Sequence, residues 1–92
     1  MTDPYRVVIS GPARRQLHRL PERVAVAIIE FITVALPDDP ARRSKPLVGQ
    51  LEGLWSARRG DYRVLLRIDE REQLVIVVRV AHRADAYRTP PP

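Results

Sequence analysis

The chain has 92 residues and a formal net charge of +5, with 16 lysine and arginine residues against 11 acidic ones. This length predicts a single domain, and a hydrophobic fraction of 45% is ordinary for a globular protein and argues against disorder. The absence of cysteine excludes disulfides and thiolate metal sites. We therefore expect one globular domain over residues 1–92, without a metal ion or another cofactor.

Hydropathy and charge also limit the partners of the protein. No apolar run approaches the ~18 residues of a membrane span, and residues 1–10, MTDPYRVVIS, lack the features of a signal peptide. We therefore expect a cytoplasmic protein with no membrane partner. The excess positive charge favours an anionic partner, which can be a nucleic acid, a phosphorylated surface or an acidic protein.

The first part of the chain predicts a strand and two helices. Residues 5–10 are rich in β-branched side chains and predict a strand, which the following Gly-Pro pair ends. Residues 13–20 predict a short helix. Residues 22–36 predict a second helix whose apolar residues exceed one stripe, so we expect a partner to cover part of it. The predicted stripe consists of Val24, Ile28, Phe31 and Ala35.

The second part predicts a loop and three strands. Residues 37–53 predict the loop, and the strands follow at 54–59, 61–69 and 73–81, with Gly60 and Asp61 in a two-residue hairpin turn. A short turn or helix then leads into a frayed tail at about 88–92. The order β-α-α-β-β-β predicts an α+β fold, with a helical hairpin packed on one face of a mainly antiparallel four-stranded sheet.

The hairpin segment 56–68, SARRGDYRVLLRI, contains five charged residues among thirteen, and four of the five are arginines. With the turn at Gly60 and Asp61, Arg58 lies directly opposite Arg63. Like charges in such a pair are destabilising, and arginine cannot lose its proton. This pattern favours an anion site, although solvated arginines on an uncovered sheet are the alternative.

Alternation of side chains along the strands divides the sheet into two faces. One face is apolar and is expected to meet the helices. The other, which we call the arginine face, carries Ser56 and Leu65 between its cations. The same alternation assigns Val75 and Val77 to the arginine face. The arginines predicted to converge there, beside Tyr87, are Arg58, Arg63, Arg67, Arg79 and Arg83.

Two segments, KPLVGQLEGLWSARRGDYRVLLRID at 45–69 and VIVVRVAHRADAYR at 75–88, resemble the RelE/ParE superfamily of bacterial toxins. The resemblance implies a RelE-like fold and a toxin that cleaves mRNA on the ribosome without metal, using the 2′-OH of the RNA. Its implied partners are a RelB-like antitoxin, the ribosome and mRNA, with DNA reached only through the antitoxin complex. The alternatives are a ParE-like, non-enzymatic inhibitor of DNA gyrase and a basic binding module without activity.

The resemblance also implies site residues. Arg63 matches the arginine that contacts the scissile phosphate, and Arg83 and Tyr87 match the arginine after the last strand and the C-terminal tyrosine. RelE enzymes carry two lysines on the strand before the hairpin turn; this chain has LWSARR there, and Arg58 or Arg59 takes their place. The residues expected to bind the RNA backbone are Arg42, Arg43, Lys45, Arg59, Arg67 and Arg79. For the first three of these, a solvated loop is the alternative.

Overall fold

The structure, a computed structural model, describes residues 3–88 as two helices packed on one face of a five-stranded sheet. The elements in chain order are β1 (Arg6–Ile9), α1 (Gly11–His18), α2 (Glu22–Glu30), β2 (Lys45–Pro46), β3 (Trp55–Arg59), β4 (Tyr62–Asp69) and β5 (Leu74–His82). The sheet order is β1-β5-β4-β3-β2; β1 runs parallel to β5, and the other neighbours are antiparallel. The predicted α+β class is confirmed.

The prediction of four strands was wrong by one strand. The segment predicted as a loop, 37–53, contains β2, whose two residues pair with the start of β3. A 3-10 turn at Gly49–Leu51 then leads back towards β3. The predicted tail beyond Arg88 lies outside the described residues. Within residues 3–88, no helix has the length and hydropathy needed to cross a membrane.

Helix α1 begins earlier than its sequence predicts. Ser10 caps it, because the Ser10 hydroxyl accepts a hydrogen bond from the Ala13 N–H at 3.2 Å. Pro12 lies in the first turn, where its missing N–H leaves no intrahelical hydrogen bond unmade. The predicted helix began at residue 13, after the Gly-Pro pair. The observed helix includes that pair and begins two residues earlier, at Gly11.

Helix α2 changes its winding after Glu30, continuing as a π-helical turn and then a 3-10 turn that contains Pro37. Proline has no N–H to extend a helix, so the chain leaves the helical path there. The buried stripe consists of Ile28, Ile32 and Leu36. The predicted stripe contained only the first of these, and its other members are half-buried.

A β-bulge in β5 changes which side chains face the helices. Leu65 pairs with Arg79 but Leu66 pairs with Val77, so Val78 is an additional residue in β5. As a result Val77, like Val75, lies in the core beneath the helices. The prediction that these two valines lie on the arginine face was therefore wrong. Arg79, beyond the bulge, does lie on that face.

The bulge can be tested with a matched pair of substitutions. Val77→Ala should lower the free energy of unfolding by roughly 2 kcal/mol, because it opens a cavity in the core. Val78→Ala removes the same atoms outside that core and should cost less than ~1 kcal/mol. Urea unfolding followed by the fluorescence of Trp55 measures both. The opposite order of the two effects would mean that β5 runs without the bulge.

Candidate functional site

A groove of about 480 Å³ lies on the arginine face, between β2, the β3–β4 hairpin and the C-terminal turn. Among residues 3–88 the only ion pair joins Arg88 to Asp85, so none of the cations in this groove forms an ion pair with a carboxylate of those residues. The groove is therefore a concave surface of uncompensated positive charge. Its five cations are Arg42, Arg43, Lys45, Arg58 and Arg63.

Strand β2 and the turn before it supply three of these cations. The Asp39 side chain accepts a hydrogen bond from the Arg42 N–H at 3.3 Å, and its carbonyl accepts one from the Arg43 N–H at 3.1 Å. The turn is closed further by the Ser44 hydroxyl, which donates to the Pro40 carbonyl at 2.6 Å. The chain then enters β2, so a folded turn rather than a loose loop presents these cations to the groove.

The hairpin supplies the other two cations in the predicted register, because Arg58 pairs directly with Arg63. The Arg63 Nη1 donates to the carbonyls of Gly60 and Tyr62 at 3.0 and 2.9 Å. Its Nε and Nη2 find no acceptor within residues 3–88. Arg63 is thus half-buried and fixed by the turn, and it retains donors suited to a phosphate group.

Tyr87 stands at the edge of the groove, held by two interactions. Its hydroxyl lies 2.9 Å from the Ser56 Oγ, and Ser56 is buried at 9% exposure. The Nη1 of Arg79 donates to the carbonyls of Ala86 and Arg88, the residues on either side of Tyr87. The tyrosine remains 45% exposed, so its ring is available to a ligand in the groove.

Four of the arginines predicted to bind the ligand lie outside the groove. Arg59 faces the helices, with its guanidinium 5.8 Å from the centre of the Phe31 ring. Arg67 lines a separate cavity, and Arg79 is engaged by the C-terminal turn. Arg83 is exposed and contacts the hairpin through its backbone, whose N–H donates to the Asp61 carbonyl at 2.8 Å.

Sequence reasoning gave no role to Ser56 and predicted a role for Arg59 that the geometry does not support. Alternation along β3 contains the signal for both residues. Ser56 shares a face with Arg58, whereas Arg59 shares the opposite face with the buried Ala57. The position of Arg83 depends on how the chain leaves β5, which alternation does not describe.

A model of the family described as "ParE toxin of type II toxin-antitoxin system, parDE" matches residues 7–87. The chain belongs to this family. Toxin RelG of Mycobacterium tuberculosis is 49% identical over 85 residues, which are 92% of this chain and 98% of that protein. Toxin RelE of the same organism is 48% identical over 88 residues, 96% of this chain and 91% of that protein. The expectation of a RelE-like toxin is confirmed.

Solved structures of this superfamily share the fold of the toxin. The toxin–antitoxin complex RelBE2 of Mycobacterium tuberculosis matches with a TM-score of 0.84 and 46% identity, covering 87% of this chain and 99% of that one. The archaeal RelE–RelB complex of Pyrococcus horikoshii OT3 matches with a TM-score of 0.72 and 27% identity, covering 91% and 100%. The predicted RelE-like architecture is thereby confirmed.

The contacts of Arg79 predict the behaviour of the C-terminal turn. In Arg79→Ala we expect the amide hydrogens of Ala86 and Arg88 to exchange at least ~10-fold faster, because hydrogen bonds to a charged donor contribute about 1.5–3 kcal/mol. Hydrogen–deuterium exchange measures this directly. Arg67→Ala removes a cation from the same face and should leave these amides unchanged. Equal exchange in Arg79→Ala and the wild type would contradict the assignment.

Proposed function

We propose that the toxin is a ribosome-dependent endoribonuclease that cleaves mRNA without a metal ion. The observation that carries this proposal is a groove of five cations that form no ion pair among residues 3–88, with a fixed, accessible tyrosine at its edge. The extensive similarity to proteins named Toxin RelG and Toxin RelE supports it. Translation stops because the message is cut while the ribosome presents it to the groove.

The cleavage step needs charge stabilisation more than any other contribution from the protein. The 2′-oxygen attacks the adjacent phosphorus, and the pentacoordinate phosphate gains negative charge. Arg58 and Arg63 face each other across the hairpin, so their guanidinium groups are suited to hold the oxygens of one phosphate between them. Arg63 carries the larger share in our proposal, because backbone carbonyls already hold its guanidinium in place.

Tyr87 and the β2 turn complete the proposed RNA site. An exposed aromatic ring beside a phosphate site is suited to stack on an unpaired base. In its ionised form, the phenolate, Tyr87 is also the candidate base for the 2′-OH. Arg42 and Arg43 also line the groove and would bind neighbouring phosphates of mRNA or rRNA. Such contacts set the affinity and its salt dependence without reading the sequence.

A RelB-like antitoxin is the second proposed partner. The solved relatives include toxin–antitoxin complexes, among them the archaeal RelE–RelB complex and the E. coli RelBE complex. On this chain, α2 and the turn after it leave three apolar side chains exposed, those of Val26, Ile29 and Val34. An antitoxin segment could cover this surface, while acidic side chains neutralise the groove. Contact with promoter DNA would then come through the antitoxin.

One observation favours a second function. The family model that matches this chain carries the name of the ParE toxins. ParE-like toxins on this fold inhibit DNA gyrase without catalysis. A gyrase inhibitor has no need of a phosphate clamp beside an ordered tyrosine, so the groove favours the nuclease. The two functions differ in target, which makes them separable by experiment.

The test is primer extension on a reporter mRNA in a translating extract, with purified toxin and with or without ribosomes. Wild-type toxin should produce new cuts at codon-spaced positions only when ribosomes are present. Arg63→Ala should lower the cleavage rate by ~10²-fold or more, the usual loss for one preorganised donor. Arg67→Ala is the matched control, since Arg67 lies on the same face of the same strand but outside the groove.

An uncut message would refute the nuclease, and cleaved DNA–gyrase complexes in the same preparation would support the ParE-like function instead. If Arg63→Ala cleaved as fast as wild type, the groove would not be the active site. Binding of the cognate antitoxin to Arg63→Ala, measured by co-purification, shows that the variant is folded.

A further inference from the structure

Lysine is used once in this chain. Of the 16 lysine and arginine residues, Lys45 alone is a lysine, and it lies in the groove. A guanidinium keeps its proton under all ordinary conditions, whereas an ammonium group can donate its proton and recover it. The other four cations of the groove can therefore stabilise charge but cannot transfer protons.

The sheet register places Lys45 beside the proposed phosphate clamp. Lys45 pairs with Ser56 across the β2–β3 ladder, and cross-strand partners project from the same face with Cβ atoms about 5 Å apart. Arg58 lies two residues further along β3, on that face. The Lys45 ammonium, on a flexible four-carbon stem, is thus within reach of a phosphate held by Arg58 and Arg63.

The same register separates Lys45 from Tyr87, the other proposed proton-transfer residue of the groove. Ser56 lies between the two, because its backbone pairs with Lys45 and its hydroxyl contacts the Tyr87 hydroxyl at 2.9 Å. Cleavage by a 2′-OH requires one group to take a proton and a second group to give one. Two different proton-transfer groups, one on each side of a buried serine, match that requirement.

We propose that Lys45 is the general acid of the cleavage step, an inference that rests on the nuclease function proposed above. The 2′-oxygen forms a bond to phosphorus, and its proton passes to the base, for which the Tyr87 phenolate is the candidate and which afterwards releases that proton to water. The bond between phosphorus and the 5′-oxygen breaks, and the Lys45 ammonium protonates that oxygen. The products are a 2′,3′-cyclic phosphate and a 5′-hydroxyl, and water returns a proton to the neutral Lys45 amine.

The experiment compares two leaving groups in single-turnover cleavage of mRNA on programmed ribosomes. One message has the normal 5′-oxygen at the cleaved linkage, and the other has a bridging 5′-sulfur, which leaves as a thiolate without needing a proton. With oxygen, Lys45→Ala and Lys45→Arg should both lose ~10²-fold or more, the usual contribution of a general acid. With sulfur, both variants should cleave about as fast as wild type.

Arg63→Ala is the control, and it should remain slow with both leaving groups because it stabilises charge on the phosphate. If Lys45→Ala lost the same factor with sulfur as with oxygen, Lys45 would be a phosphate contact and the proposal would be overturned. Full activity of Lys45→Arg with oxygen would overturn it too. Wild type that cleaves neither message would instead refute the nuclease function itself.

Discussion

The constraint on which this structure depends is the crowding of five cations in one groove, where none of them forms an ion pair with a carboxylate of residues 3–88. Arg58 faces Arg63 across the hairpin, and three more cations come from β2 and the turn before it. Cations placed this close repel each other in the unbound protein. The fold tolerates them because backbone carbonyls hold the Arg63 guanidinium and because the groove is open to water. The arrangement becomes favourable when an anion enters.

The rest of the fold holds this groove in shape. The core residues Ile28, Ile32 and Leu36 fix the helices against the sheet, so the hairpin that carries the arginines has a rigid support. The bulge at Val78 has a more specific effect. Without the additional residue, continued alternation from the buried Val77 would point Arg79 into the core. With it, Arg79 reaches the C-terminal turn and orders the segment around Tyr87.

The hairpin was the most predictable part of the site. A Gly-Asp turn between strands of clear alternation fixes one register, and the structure has that register. The bulge could not be predicted, because residues 74–78 are all apolar and fit either face of a sheet. Strand β2 was missed since it has only two residues, one of them a proline.

The remaining differences concern Arg59 and Arg79, two arginines that were predicted to bind the ligand and lie outside the groove. The Phe31 ring attracts Arg59 to the helix side, and the carbonyls of the C-terminal turn engage Arg79. The position of Arg59 follows from alternation along β3, whereas that of Arg79 depends on the bulge and on how the chain folds back after β5. Residue type therefore predicts an anion site, whereas strand alternation, the bulge and the path of the chain after β5 decide which arginines line the groove.

The central claim, that the groove holds repelling charges for an anionic ligand, is tested most directly by unfolding Arg58→Gln at low and high salt. We expect this variant to be more stable than wild type by up to ~1 kcal/mol at low salt, because one member of a like-charge pair is gone. Screening should remove the difference at high salt. Arg67→Gln, which faces Ile76 across the strands, should show no such gain. An Arg58→Gln variant less stable than wild type at low salt would contradict the account.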